Sequence, residues 1–214
     1  MAARPALHPS PGESSLLVCP PFEDAQAHGC LDLVLCDGPD ETRLFGVTLE
    51  QSIEKRLAVW NREVGAPPAA ATIATVDTGW ELSTASETAE AEAGHDTLSV
   101  EMLSSPSDLE GVAALAESTL QEWAGTSEQV AICIRSLTTL LQYAERSMVA
   151  SLLEDLNGLA REHDAVAHYH LNRDAHDRET IQALASVCDT VYEYDGTGWR
   201  SGPSAASPAG LRSR

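Results

Sequence analysis

Short apolar runs alternate along this chain with stretches in which apolar residues return every three or four positions. The runs have the length and bounding residues of strands, and the spaced stretches have the period of helices. Ser15–Cys19, closed by Pro20 and Pro21, predicts the first strand, and Arg43–Leu49 the second. Ile53, Leu57, Trp60 and Val64 then mark one helical face, which stops at Gly65 ahead of Pro67 and Pro68. Thr72–Val76 and Leu98–Met102 predict further strands. Ser105, Pro106, Ser107 and Asp108 predict a helix start, with Ser105 as cap, Pro106 as first helical residue and Asp108 near the positive end of the dipole. That helix would bury Val112, Leu115, Leu120 and Trp123 and end at Gly125.

Val130–Ile134 is the most continuous apolar run. Hydrophobicity on both faces predicts a central strand of a parallel sheet, covered above and below. One long helix is predicted after it, from Leu141, Met148, Leu152, Leu156 and Leu159. Val166–His170 predicts the next strand, and Asp177–Cys188 a helix on Ile181, Leu184 and Cys188. Thr190–Tyr194 predicts a last strand, and Gly196–Gly198 a turn that brings Trp199 back as a hairpin. This alternation predicts an α/β protein, a three-layer α/β/α sandwich with a mostly parallel central sheet.

The 214 residues have room for one domain with tails. The domain is expected over 15–200, between a flexible tail at 1–14 and a disordered one at 201–214. Residues 81–96 hold five carboxylates, no basic residue and nothing large and apolar after Leu82, which predicts a flexible acidic loop. No apolar run approaches the roughly 18 residues of a spanning helix, and Met1–Gly12 lacks the apolar stretch of a secretory signal. A cytoplasmic protein with no membrane insertion is expected.

Charge sharpens that expectation. The chain has 33 acidic and 13 basic residues, a formal net charge of -20, and Lys55 is its one lysine. Such a surface repels nucleic acid, so no direct nucleic-acid partner is expected. Excess carboxylate destabilises a compact state by self-repulsion, unless molar salt shortens the screening length to about 3 Å. An acidic, Lys-poor, Ala-rich chain therefore fits the cytosol of a salt-accumulating halophile.

Candidate chemistry is sparse. Cys19, Cys30, Cys36, Cys133 and Cys188 are scattered without a CxxC pair, which suits reduced thiols rather than a disulfide framework or zinc ribbon. Cys19 and Cys133, on strand candidates taken as neighbours, read as small buried hydrophobes. His168 and His170, two apart on a strand, share a face, and His176 follows in the next loop beside Asp174 and Asp177. Three imidazoles with carboxylates are a candidate zinc or iron set. Nothing fixes the loop between His170 and His176, so hydrogen-bonded structural histidines at the sheet's carboxyl edge are the expected reading, with no metal or other cofactor. Tyr169 faces the opposite side, into the core. No GxSxG, HExxH or supported Cys/His arrangement occurs, and no catalytic residue is nominated.

Two segments carry a resemblance. Val130–Leu141 is similar to the second nucleotide-site strand of the RecA/KaiC-like ATPase superfamily, whose apolar run leads into Asp-Ser-Leu-Thr-Thr. Ala167–Thr180 resembles that superfamily's later strand and the loop after it. With weaker similarity over residues 15–80, the chain resembles in particular haloarchaeal KaiC-related domains of unknown function. The resemblance implies a RecA/P-loop NTPase-like fold and side-by-side assembly, hence protein partners, copies of itself included.

ATP-binding members carry GxxxxGK[ST] after the first strand: amides and Lys for phosphate, a hydroxyl for magnesium. Here Cys19–Cys30 has no Lys, Ser or Thr, and no glycine before Gly29. Pro20 and Pro21 remove amide donors. Glu23 and Asp24 would each oppose a phosphate charge by on the order of 4 kcal/mol at 4 Å and an effective dielectric of about 20. Arg135 replaces the family's magnesium-holding Asp, and a guanidinium cannot ligate a cation. It is expected to form a structural ion pair, direct anion binding being the other reading. The implied protein is a non-catalytic regulatory or protein-interaction module. The alternatives are a divergent nucleotide-binding ATPase and a metalloenzyme built on His168, His170 and His176.

Overall fold

Eight strands form one sheet in the computed structural model, which describes residues 7, 9–20, 23–34, 41–49, 53–65, 68–76 and 98–202. The elements in chain order are β1 (Ser14–Cys19), α1 (Glu23–Val34), β2 (Thr42–Thr48), α2 (Ile53–Val64), β3 (Ala70–Val76), β4 (Leu98–Leu103) and α3 (Leu109–Glu122). They continue as β5 (Gln129–Arg135), α4 (Leu137–Tyr143), α5 (Arg146–Glu162), β6 (Val166–Asn172), α6 (Arg178–Ala185), β7 (Thr190–Tyr194) and β8 (Trp199–Gly202). The strand order is β4-β3-β2-β5-β6-β1-β7-β8. Every pair is parallel except the β7–β8 hairpin. The three-layer α/β/α sandwich and its mostly parallel sheet are as the pattern predicts.

Layering follows from the handedness of the crossovers. From β1 to β4 the chain steps across the sheet in one direction, and right-handed connections put α1 and α2 on one face. From β5 onward it steps back, so α3 to α6 cover the other face. Two cores result. Phe45, Ile132, Ile134 and Tyr169 pack with Leu120, Leu140, Leu153 and Leu156 of the second helical layer. Leu44, Ile73, Ala131 and Cys133 point the opposite way, toward Val34, Ile53 and Trp60. Val130 to Arg135 of β5 are all buried, as a strand covered on both faces requires.

Tyr169 sits in the larger core, its hydroxyl donating to Asn157 Oδ1 at 2.7 Å, while Asn157 Nδ2 donates to the Val187 carbonyl at 2.6 Å. Gly65 and Gly125 follow α2 and α3 with φ of 79°, the left-handed conformation that ends a helix without a Cβ penalty.

Local chemistry corrects several boundaries. Asp108, not Ser105, caps α3: its carboxylate accepts from Gly111 N–H at 2.9 Å and Ser104 N–H at 3.1 Å. A charged acceptor satisfies the helix's orphan amides better than a hydroxyl, and Ser105–Ser107 become the turn before it. The long helix expected from Leu141 is two, separated by extended backbone at Ala144 and Glu145. Leu140 and Val149 explain the break. Nine residues of straight helix would turn them roughly 180° apart, yet both enter the same core. Met148, expected on the buried face, is 52% exposed.

The domain also reaches further at both ends than the pattern predicts. Leu7 is buried beside Leu17, Cys19, Leu33 and Trp199. Ser14 already belongs to β1, its N–H and hydroxyl both donating to Asp189, and β8 runs through Gly202. The acidic stretch 81–96 and residues 203–214 lie outside the described residues.

Candidate functional site

Neighbouring strands send their chains to opposite layers at two described places, β2 beside β5 and β1 beside β6. At the second, β1 leads into α1 on one face, and adjacent β6 leads to α6 on the other. Ligands of open α/β sheets bind in the crevice beyond the carboxyl ends of such strands. Pro20 stands there, directly after Cys19, whose register partner is Asn172 of β6. Pro21 lies outside the described residues, and Glu23 and Asp24 supply the first backbone turn of α1. Arg135 ends β5 in register with Thr48 of β2, and is buried, with its carbonyl accepting from Leu49 N–H at 3.3 Å. Thr138, at the start of α4, accepts from Asn172 N–H at 3.0 Å and meets His176 Nε2 at 3.1 Å.

That last contact separates the candidate histidine trio. His176 leaves the strand after Asn172, passes a turn at Arg173–Ala175 and joins α4. His168 and His170 stay on β6, on the α1 face. They are not at the sheet's edge, nor are they generally hydrogen-bonded: among the described residues His168 Nδ1 and both ring nitrogens of His170 are buried with no partner in hydrogen-bond geometry, although the Cys133 sulfur lies close enough to act on His170. Each such orphan costs on the order of 1–3 kcal/mol, so it needs a reason.

Two cysteines join these imidazoles. Cys133 of β5 is the register partner of His168, and Cys30 of α1 lies across the interlayer gap. Cys30 Sγ is 3.2 Å from His168 Nε2 and 3.6 Å from Cys133 Sγ. One donor atom from each of Cys30, Cys133, His168 and His170 falls within 4.8 Å of all the others. The two rings meet edge to face at 5.3 Å. Cys133, His168 and His170 are at most 1% exposed, and Cys30 is partly exposed. Burial pushes His170 down to about 4, against the pull of the Cys133 sulfur, so its imidazole is neutral at physiological pH. Cys19 and Cys133 are not strand neighbours, because β6 lies between β1 and β5.

Gly29 controls how closely α1 meets the sheet. A Cβ there would sit 2.6 Å from Trp199 Cζ2 and 2.9 Å from its Nε1. The missing side chain lets the β8 indole lie flush on the helix, one residue from Cys30.

A protein-family profile matches residues 12–194 and so nearly the whole described fold. The chain belongs to DUF7504, a family of unknown function. No curated protein matches it in sequence. Solved structures do match in fold. The KaiC-like protein PH0186 from the hyperthermophilic archaeon Pyrococcus horikoshii OT3 is 14% identical with a TM-score of 0.52, over 91% of this chain and 77% of that one. A solved ATPase domain is 13% identical with a TM-score of 0.55, over 94% and 80%. PH0250 of Pyrococcus horikoshii OT3 is 14% identical with a TM-score of 0.58, over 92% and 88%. This DUF7504 chain thus has the RecA/KaiC-like P-loop NTPase fold.

In the DUF7504 sequence the four-residue cluster has no local signature. Its members stand at 30, 133, 168 and 170, and only the last two share a segment. Cys30 falls in a stretch with no regular apolar face ahead of Gly29, so the sequence pattern predicts no helix there. The usable signal is the parity of β6 together with β5 as its neighbour, which aims Cys133 and both histidines at one layer.

Proposed function

We propose that this DUF7504 chain is a non-catalytic RecA/KaiC-like module of a halophilic archaeon, regulating other proteins by contact, with a degenerate nucleotide site. The observation that carries the reading is Arg135: a buried cation ends the strand where the superfamily holds magnesium. Pro20, without an N–H, opens the turn that would cradle phosphate. A net charge of -20 further disfavours a polyphosphate and favours function in high salt. For protein contacts the chain offers a groove of about 760 Å³ between α3 and α5, rimmed by Glu110, Glu117, Glu154 and Glu162, with Met148 exposed. Partners with cationic edges suit it, and the protein itself is a further candidate.

Thermal melting with and without magnesium–ATP in about 2–3 M KCl tests the reading, since a ligand that binds only the folded state raises Tm. No shift is expected at sub-millimolar ATP. A rise of several degrees that excess EDTA abolishes would make the protein a divergent nucleotide-binding ATPase instead.

A further inference from the structure

We propose that Cys30, Cys133, His168 and His170 form a closed four-coordinate site for Zn(II), which fastens α1 to strands β5 and β6. The inference stands on the positions of four donors and is independent of the nucleotide reading.

The donor set fits the ion. Zinc takes tetrahedral Cys2His2 ligation, with Zn–S near 2.3 Å and Zn–N near 2.0–2.1 Å. Such a tetrahedron has edges of roughly 3.8 Å between sulfurs and roughly 3.6 Å between sulfur and nitrogen. The Cys30–Cys133 separation is 3.6 Å and the Cys30–His168 separation 3.2 Å, with every remaining pair inside 4.8 Å. Small rotations of side chains carried by three elements bring the rest to the ion. Calcium and magnesium demand oxygen ligands, and no carboxylate belongs to this cluster.

Charge balance agrees with burial. Zn(II), two thiolates and two neutral imidazoles sum to zero, so the complex carries no net charge into the apolar layer. A zinc would engage one of the two orphaned nitrogens of His170, while His168 would bind through the Nε2 that already meets Cys30. Among the described residues His168 Nδ1 finds no acceptor, so they supply no outer hydrogen bond of the kind that commonly orients a metal-bound imidazole. With all four positions filled by protein there is no open place for water or substrate. The role is structural: the metal sets α1, the helix next after β1 in the chain, on the sheet beside the Gly29–Trp199 contact.

The test uses the full chain, purified without chelator and reduced, in high KCl. Elemental analysis after zinc loading and dialysis should give about one equivalent per chain. Cobalt(II) added to the chelator-stripped protein should give the intense visible bands of a tetrahedral ion, with sulfur-to-cobalt charge transfer in the near ultraviolet. Cys30→Ser and His170→Ala should each weaken zinc binding, in competition with a chromophoric chelator, by more than the roughly 10–100-fold that outer-shell changes cost. His176→Ala should leave it unchanged. Should either cluster variant fail to fold, the wild-type cobalt spectrum still decides. Absence of metal after loading together with a cobalt spectrum lacking the sulfur band would overturn the proposal. So would metal lost in His176→Ala, or a Cys30–Cys133 disulfide in protein isolated without air.

Discussion

Gly29→Ala sets helix propensity against packing in one methyl group. Alanine is favoured over glycine inside a helix by about 1 kcal/mol, so on propensity alone the change stabilises. The new methyl would lie 2.6, 2.7 and 2.9 Å from three atoms of the Trp199 ring. Comfortable carbon contacts begin near 3.5 Å, so the overlap is roughly 1 Å. The indole has little room to retreat, being 6% exposed and packed among Leu7, Leu17, Cys19 and Leu33. Overpacking of that kind costs about 1–3 kcal/mol, which outweighs the propensity gain and leaves a net loss of about 1 kcal/mol. Urea unfolding in molar KCl, followed by circular dichroism so that Trp199 is not the reporter, measures it. In a Trp199→Leu background the obstructing ring atoms are gone, and Gly29→Ala should become stabilising. The coupling between the two sites is then about 1–3 kcal/mol. Equal stabilisation in both backgrounds would refute the close approach of α1 to β8, and with it the placement of Cys30.

Tyr169→Phe removes a buried donor and leaves Asn157 Oδ1 without its 2.7 Å partner, so stability should fall by about 1–2 kcal/mol. An unchanged urea midpoint would mean that the hydroxyl makes no such bond. The net charge of -20 predicts urea midpoints that fall steeply as KCl drops below about 1 M, where carboxylate repulsion is less screened. A flat series across that range would remove the halophilic reading.

Parity and continuity of apolar residues make most of the sheet legible. Val130–Ile134 lacks polar alternation, and a strand apolar on both faces has no stable place except between two helical layers. Parity alone assigns Tyr169 to the core, since His168 and His170 flank it on the other face. Helix phase is less reliable. Leu141, Met148, Leu152 and Leu156 fit one helical stripe, but Leu140 and Val149 also have to reach the core, and only a break at Ala144 satisfies both. The start of α3 goes to Asp108 because capping is decided by which side-chain oxygen reaches the free amides, a matter of ångströms.

The sequence by itself determined the layered α/β architecture and the charge, because these depend on local periodicity and composition. Only the tertiary structure decided the company of the histidines. Cys30 and Cys133 lie 103 residues apart, and Cys30 and His168 lie 138 apart. Strand order puts β5 against β6, and crossover handedness lays α1 over them. His176, near in sequence, is drawn off to Thr138 by the turn that follows β6. Contacts between side chains so distant along the chain are set by how the layers close, and no local pattern encodes them.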